Sequence, residues 1–197
     1  MNILLSYSEE LFRNQTNSLV DEFLSFFRLN NLNADKLRIP CKWGEPEKII
    51  NQIKIAESIE LQNIDKLLTI DFPSLFIRHH NKSVYISDSL VDHFNNHVGE
   101  HSVGSQVPSS GEFMEFLLQR IISELRNSNL IILSSKKVDE FLSPHIKIDE
   151  KNLINFVSEE SFLELLRLQN QAATIKISEY PKLNQLVNFF RDSSRIS

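Results

Sequence analysis

The sequence predicts an α/β fold, a mainly parallel sheet with helices on both faces and a helical C-terminal tail. Two observations predict it. Apolar runs of strand length alternate with amphipathic helical stretches along most of the chain. Each run is apolar throughout rather than in-out alternating, the pattern of strands buried on both faces.

The elements follow in order. Asn2 to Ser6 reads as a buried strand. Asn17 to Leu29 reads as a helix, because Leu19, Val20, Phe23, Phe26 and Phe27 recur at helical spacing; Asn30 and Asn31 end it. Lys36 to Pro40 is a second strand. Pro46 to Leu61 is a second helix, with the proline in the first turn, where a lost N–H costs little. Its stripe is Ile49, Ile50, Ile53, Ile55, Ala56 and Ile59. Leu67 to Ile70 and Ser83 to Ile86 are the next strands. Residues 95–111 hold three of the four glycines and read as loop. Glu112 to Arg126 is an amphipathic helix, Leu130 to Leu133 a fifth strand, and Lys136 to Leu142 a short helix.

After about residue 150 the alternation fades, leaving two helices at Ser161 to Gln169 and Lys182 to Phe190. The organisation predicted is a Rossmann-like domain over residues 1–150 and a helical tail over 151–197. Leu163, Leu166, Leu183, Leu186, Val187, Phe189 and Phe190 need an apolar surface, so the tail is expected to pack on its own domain.

Bulk properties narrow the function. The chain has 197 residues, enough for one domain with a sizeable core. A formal charge of −5 disfavours nucleic acid and anionic membranes as partners. Cys41 is the single cysteine, so no internal disulfide can form, and a reducing compartment fits. No stretch approaches the roughly 20 apolar residues of a membrane span, and Met1 to Ser6 has no basic lead of a secretory signal. The expectation is a cytoplasmic protein.

Several residues could carry chemistry. His93, His97 and His101 recur every fourth residue and would share one face of a continuous helix, a spacing that can ligate a metal. Gly99 and Gly104 favour a solvated polar turn instead, so no metal or other cofactor is assigned. Arg78 and His79 read as the end of a strand at the carboxyl edge, where open α/β folds bind ligands. The other reading is that both pin the turn at Asn81. Trp43 could stack on a sugar or fill an interface. Phe72-Pro73 reads as a structural bend, and Cys41 as buried and inert. Glu9-Glu10 and Glu159-Glu160 read as solvated helix ends. No Walker loop, nucleophile elbow or zinc-protease motif occurs.

Two segments resemble a known family. Leu37-Arg38-Ile39-Pro40-Cys41-Lys42-Trp43 precedes a Pro-Glu helix, and Asp65 to Lys82 contains Asp71-Phe72-Pro73-Ser74-Leu75-Phe76-Ile77-Arg78-His79-His80-Asn81-Lys82. These are similar to the "lP-F-K-W" and "K-F-P-x-Y-L-x-R-H-P-N-K-V-x-W" segments of the N-terminal domain of family 4 glycosyltransferases, which have the GT-B fold. Ser123 to Arg126 and Ile131 to Val138 are similar to that domain's later helix and strand, so the resemblance spans roughly residues 37–138. It implies an acceptor-side domain, with Trp43, Arg78, His79 and Asp88 near a cleft for a carbohydrate acceptor.

The departures from the family are specific. No glycine occurs before Gly44, so the glycine loop that approaches a donor diphosphate is absent, and Glu9-Glu10 stand there instead. Ser87-Asp88-Ser89 replaces a His-containing turn. The tail has no paired-Glu motif of a nucleotide-sugar domain. The resemblance therefore implies a domain that does not transfer sugar alone and would need a second glycosyltransferase subunit or domain. The alternative is a non-catalytic binding or assembly domain derived from a glycosyltransferase.

Overall fold

The structure is a computed structural model that describes residues 1–8, 16–41, 46–97, 110–171 and 180–192. Six strands form one sheet: β1 (Asn2–Ser8), β2 (Asn33–Ile39), β3 (Lys66–Ile70), β4 (Lys82–Ile86), β5 (Leu130–Leu133) and β6 (Leu153–Asn155). Their order is β2-β1-β3-β4-β5-β6, and every pairing is parallel. Every residue of β3, β4 and β5 is buried, Lys66, Thr69, Lys82 and Ser83 included, as strands covered on both faces require. Strand order reverses at β1, placing the topological switch point between the carboxyl ends of β1 and β3. The predicted α/β, Rossmann-like class is the fold observed.

The helices are α1 (Thr16–Leu29), α2 (Pro46–Glu57), α3 (Asp88–His97), α4 (Ser110–Arg126), α5 (Lys136–Leu142), α6 (Glu159–Gln171) and α7 (Pro181–Arg191). One face of the sheet carries α1, α6 and α7. There Tyr85 of β4 meets Phe23 of α1 and Phe162 of α6, at 5.9 Å and 5.6 Å between ring centroids. Phe27 of α1 meets Phe190 of α7 at 4.8 Å. Elsewhere Arg120 of α4 pairs with Glu57 of α2 and lies over the Phe76 ring. Helix α1 stops where predicted because Asn31 takes a left-handed conformation, φ 58°. The Leu32 and Asn31 N–H groups then return to the Phe27 and Arg28 carbonyls, the geometry of a Schellman cap.

Several elements differ from the sequence reading, and α2 ends at Glu57 rather than Leu61, leaving Ile59 beyond it. Strand β6 lies beyond residue 150, in the stretch where alternation fades. It has only three residues, too few to show a period, and gains its place by extending the ladder from β5. Helix α3 runs from Asp88 to His97, so the segment predicted as loop from residue 95 is helical for three residues more. The connection from β3 to β4 contains only a one-turn 3₁₀ helix, Ser74–Phe76. Its Ser74 hydroxyl donates to the Ile70 and Asp71 carbonyls at 2.7 and 2.9 Å. Phe72 is fully buried against Phe76, so no wet apolar side chain stands there.

The C-terminal helices share the core. Phe162, Leu166, Leu183, Leu186, Val187 and Phe190 are each at most 1% exposed. Lys182 of α7 donates to the Asn155 carbonyl, and Arg191 to that of Asn30. No helix among the described residues is long and apolar enough to cross a membrane.

Candidate functional site

Three acids meet at the carboxyl edge of the central strands. Asp71 follows β3, Asp88 opens α3 directly after β4, and Glu159 opens α6. Strands bring Asp71 and Asp88 to one edge because parallel neighbours end together, and α6 enters from beyond β6.

Each acid ties separate segments. The Ser87 backbone N–H donates to Asp71 Oδ1 at 2.8 Å, joining the end of β3 to the start of α3. The Ser134 and Ser135 hydroxyls donate to Asp88 Oδ1 at 2.8 and 2.5 Å, joining α3 to the end of β5. Ser135 is also the N-cap of α5. The Tyr85 hydroxyl donates to Glu159 Oε1 at 3.2 Å, joining α6 to β4.

The electrostatics are unusual for carboxyls. Asp71 is 0% exposed, and its Oδ2 has no hydrogen-bond partner. Burial pushes it up to about 8 against the pull of the Ser87 side chain and N–H, and repulsion from Glu159 and Asp88 adds to the rise. Burial pushes Glu159 up to about 7, again with repulsion from Asp88. Burial and the neighbouring Glu159 raise the Tyr85 phenol well above its ordinary value, so it stays a donor. Asp71 also has a left-handed backbone, φ 53°. The Ser6 and Ser8 hydroxyls of β1, across the switch point, are buried and unpartnered as well. Clusters of this kind collect at functional sites because local stability alone does not favour them.

The structure separates the residues that the sequence reading grouped. Asp88 lies at the carboxyl edge. Arg78 and His79 do not: the chain crosses the sheet again after the 3₁₀ turn, and both sit at the amino edge, just before β4. His79 there accepts from the Asn81 N–H through Nδ1 at 3.1 Å, so its Nε2–H donates to the Ile64 carbonyl at 3.0 Å. It pins the Asn81 turn, the second of the two readings. Arg78 is exposed. Trp43 and the Glu9-Glu10 pair lie outside the described residues. His93 stands on α3 with Nδ1 donating to the Ser89 carbonyl at 3.0 Å. The His97 side chain and all of His101 lie outside the described residues. Among the described residues no group of three or more His, Cys, Asp or Glu could hold a metal. Cys41 is half-buried at the end of β2, not fully buried. Glu159 is not a solvated helix end: it is 9% exposed, because α6 docks its first turn onto the sheet edge, while Glu160 remains exposed.

Asp71 and Glu159 were missed. Asp71 ends the apolar run Leu67 to Ile70 and so reads as a strand terminus. Glu159 gives no signal, since Glu-Glu before a helix is the ordinary pattern of a first turn. Comparison with known proteins adds no relative: no family model matches the chain, and neither a curated protein nor a solved structure matches it.

Proposed function

We propose that this chain is a glycosyltransferase-related domain that binds a neutral, hydroxyl-bearing acceptor at the carboxyl edge of its sheet and does not transfer sugar by itself. One observation carries the reading. The edge next to the switch point carries the half-buried Asp88 carboxyl, backed by the buried Ser134, Ser135, Asp71 and Glu159, where a diphosphate would need N–H donors or cations. Sugar hydroxyls both donate and accept, so they match carboxyls and serines, whereas a diphosphate is repelled. The absence of glycine before Gly44 points the same way.

The activity would need a partner that holds the nucleotide-sugar, supplied as a second subunit or domain. The placement of Arg78 and His79 at the amino edge, with His79 engaged by the main chain, favours a second reading, a binding or assembly domain without chemistry.

Two measurements test the proposal. Saturation-transfer NMR against a panel of mono- and disaccharides should show contact with some of them, lost in Asp88→Ala. Calorimetry with UDP- and GDP-sugars should show no heat. Low-micromolar binding of a nucleotide-sugar to the isolated chain would sink the reading, and contact with no saccharide would favour the assembly domain.

A further inference from the structure

The three acids have a consequence that does not depend on any ligand. An ionised carboxylate in a protein interior persists only with a cation or several donors around it. Asp71 is fully buried and receives the Ser87 N–H on one oxygen, while the other has no partner. Among the described residues the charged groups that act on it are Glu159 of α6 and Asp88 of α3, both acids, while the Ser87 side chain and N–H favour the charged form without overcoming burial. Those that act on Glu159 are Asp88 and Glu160, with the Tyr85 hydroxyl of β4 as a donor. Among the described residues the two lysines of α5 pair elsewhere, Lys137 with Asp92 and Lys136 with Glu140. Ionising Asp71 and Glu159 together would place unbalanced like charges in one dry spot.

The same groups hold the edge together. Asp71 fastens the end of β3 to Ser87 at the start of α3, Glu159 fastens α6 to Tyr85, and Asp88 fastens α3 to the end of β5.

We infer that Asp71 and Glu159 form a proton-operated clasp, which holds the N-termini of α3 and α6 on the carboxyl edge while both carboxyls are protonated and releases them when both ionise. The pH window follows from the folded and unfolded values. Unfolded, the two carboxyls lose their protons near 3.8 and 4.5; folded, they keep them to about 8 and about 7. Folded values above unfolded ones mean that the contribution is whole below the unfolded values and is lost as pH rises through the folded ones. The clasp therefore closes on the acid side and opens across neutral to mildly alkaline pH.

The test is hydrogen exchange by mass spectrometry on the full chain at about pH 6 and about pH 9, corrected for the intrinsic rate at each pH. Expected is a loss of protection in the first turns of α3 and α6 at the higher pH, at least tenfold, with α1 and β1 unchanged. The double variant Asp71→Asn, Glu159→Gln keeps the shapes and removes both titrations, so its exchange should not respond to pH. Equal protection at both pH values, a loss spread evenly over all helices, or the same response in the double variant overturns the proposal. If the variants fail to fold, carboxyl-carbon NMR titration of the wild-type chain decides. Two carboxyls titrating around neutrality support the clasp, and every carboxyl titrating near its ordinary value refutes it.

Discussion

Lys66→Met should loosen the C-terminal helix. Lys66 opens β3 and is 0% exposed. Its ammonium donates to the Phe189 carbonyl and, at 2.8 Å, to that of Asp192, and lies 4.7 Å from the centre of the Phe189 ring. It thus caps the last turn of α7, where free carbonyls and the helix dipole favour a cation. Each bond from a charged donor contributes roughly 1.5–3 kcal/mol, and the ring contact about 0.5–2 kcal/mol. Against these stands the dehydration of an ammonium, several kcal/mol, which methionine removes while keeping most of the stem. Methionine cannot supply the donors. Phe189 is 7% exposed, so its carbonyl stays dry at a cost of about 1–3 kcal/mol, whereas half-buried Asp192 can turn toward water. The expected net loss is about 1–3 kcal/mol, or roughly 2–12 °C in Tm for a chain of this size. Urea denaturation reads the loss, and hydrogen exchange should place it in α7. An unchanged midpoint together with unchanged exchange in α7 would show that dehydration cancels the bonds and that the cap contributes nothing.

Three further outcomes are expected. Deleting the chain from Ser178 onward removes Leu183, Leu186, Val187, Phe189 and Phe190 from the core, so the remainder should aggregate or melt far lower; a monomer with unchanged Tm on light scattering and calorimetry would contradict the packing of α7. Glu124→Ala leaves the ammonium of Lys82, which is 3% exposed, with the Leu75 carbonyl as an acceptor; a loss of about 2–4 kcal/mol in chemical denaturation is expected, tempered because Glu124 itself is partly exposed. His79→Ala should cost about 1–2 kcal/mol through two lost hydrogen bonds, while Arg78→Ala should stay within about 0.5 kcal/mol, and the reverse ranking would restore Arg78 to importance.

The fold was legible because its signals are local. Leu67-Leu68, Val84-Tyr85-Ile86 and Leu130 to Leu133 are apolar runs within β3, β4 and β5, and α1, α4 and α7 carry stripes at helical spacing, so each element announces itself. Strand β6 did not, because three residues hold no period and its stability comes from β5 beside it. The edge on which Arg78 sits was also illegible. A βαβ pattern leads one to expect that a strand ends where an apolar run ends, but the run from Leu67 to Ile77 contains a strand, a left-handed residue and a 3₁₀ turn. The polar residues Thr69, Asp71 and Ser74 are too few to break the apolar pattern of this run, and only the turn reverses the chain. The candidate site was half legible. Asp88 follows a strand and so marks its carboxyl end. Glu159 joins it only through the docking of α6, a contact more than 70 residues away in sequence.

The two edges of the sheet handle charge in opposite ways, and this separates support from function. At the amino edge Lys66 and Lys82 are as buried as any core residue, yet each points at main-chain carbonyls, and Lys82 meets Glu124. A strand that begins with lysine can drive its long stem along the apolar interior and cap whatever helix ends there. Asn81 departs from this pattern, with a buried side-chain amide that has no partner. It is neutral, and a neutral orphan costs far less than a buried charge. At the carboxyl edge the acids face other acids, and Asp71 keeps an unpartnered oxygen in a left-handed backbone. Packing offers no reason for a carboxyl there: Asn would fit the same backbone and the same Ser87 bond without the charge. What a carboxyl has and an amide lacks is a removable proton. A residue that costs stability and whose distinguishing property is titration is best explained by a use for that titration, and it stands where open parallel sheets place their ligands.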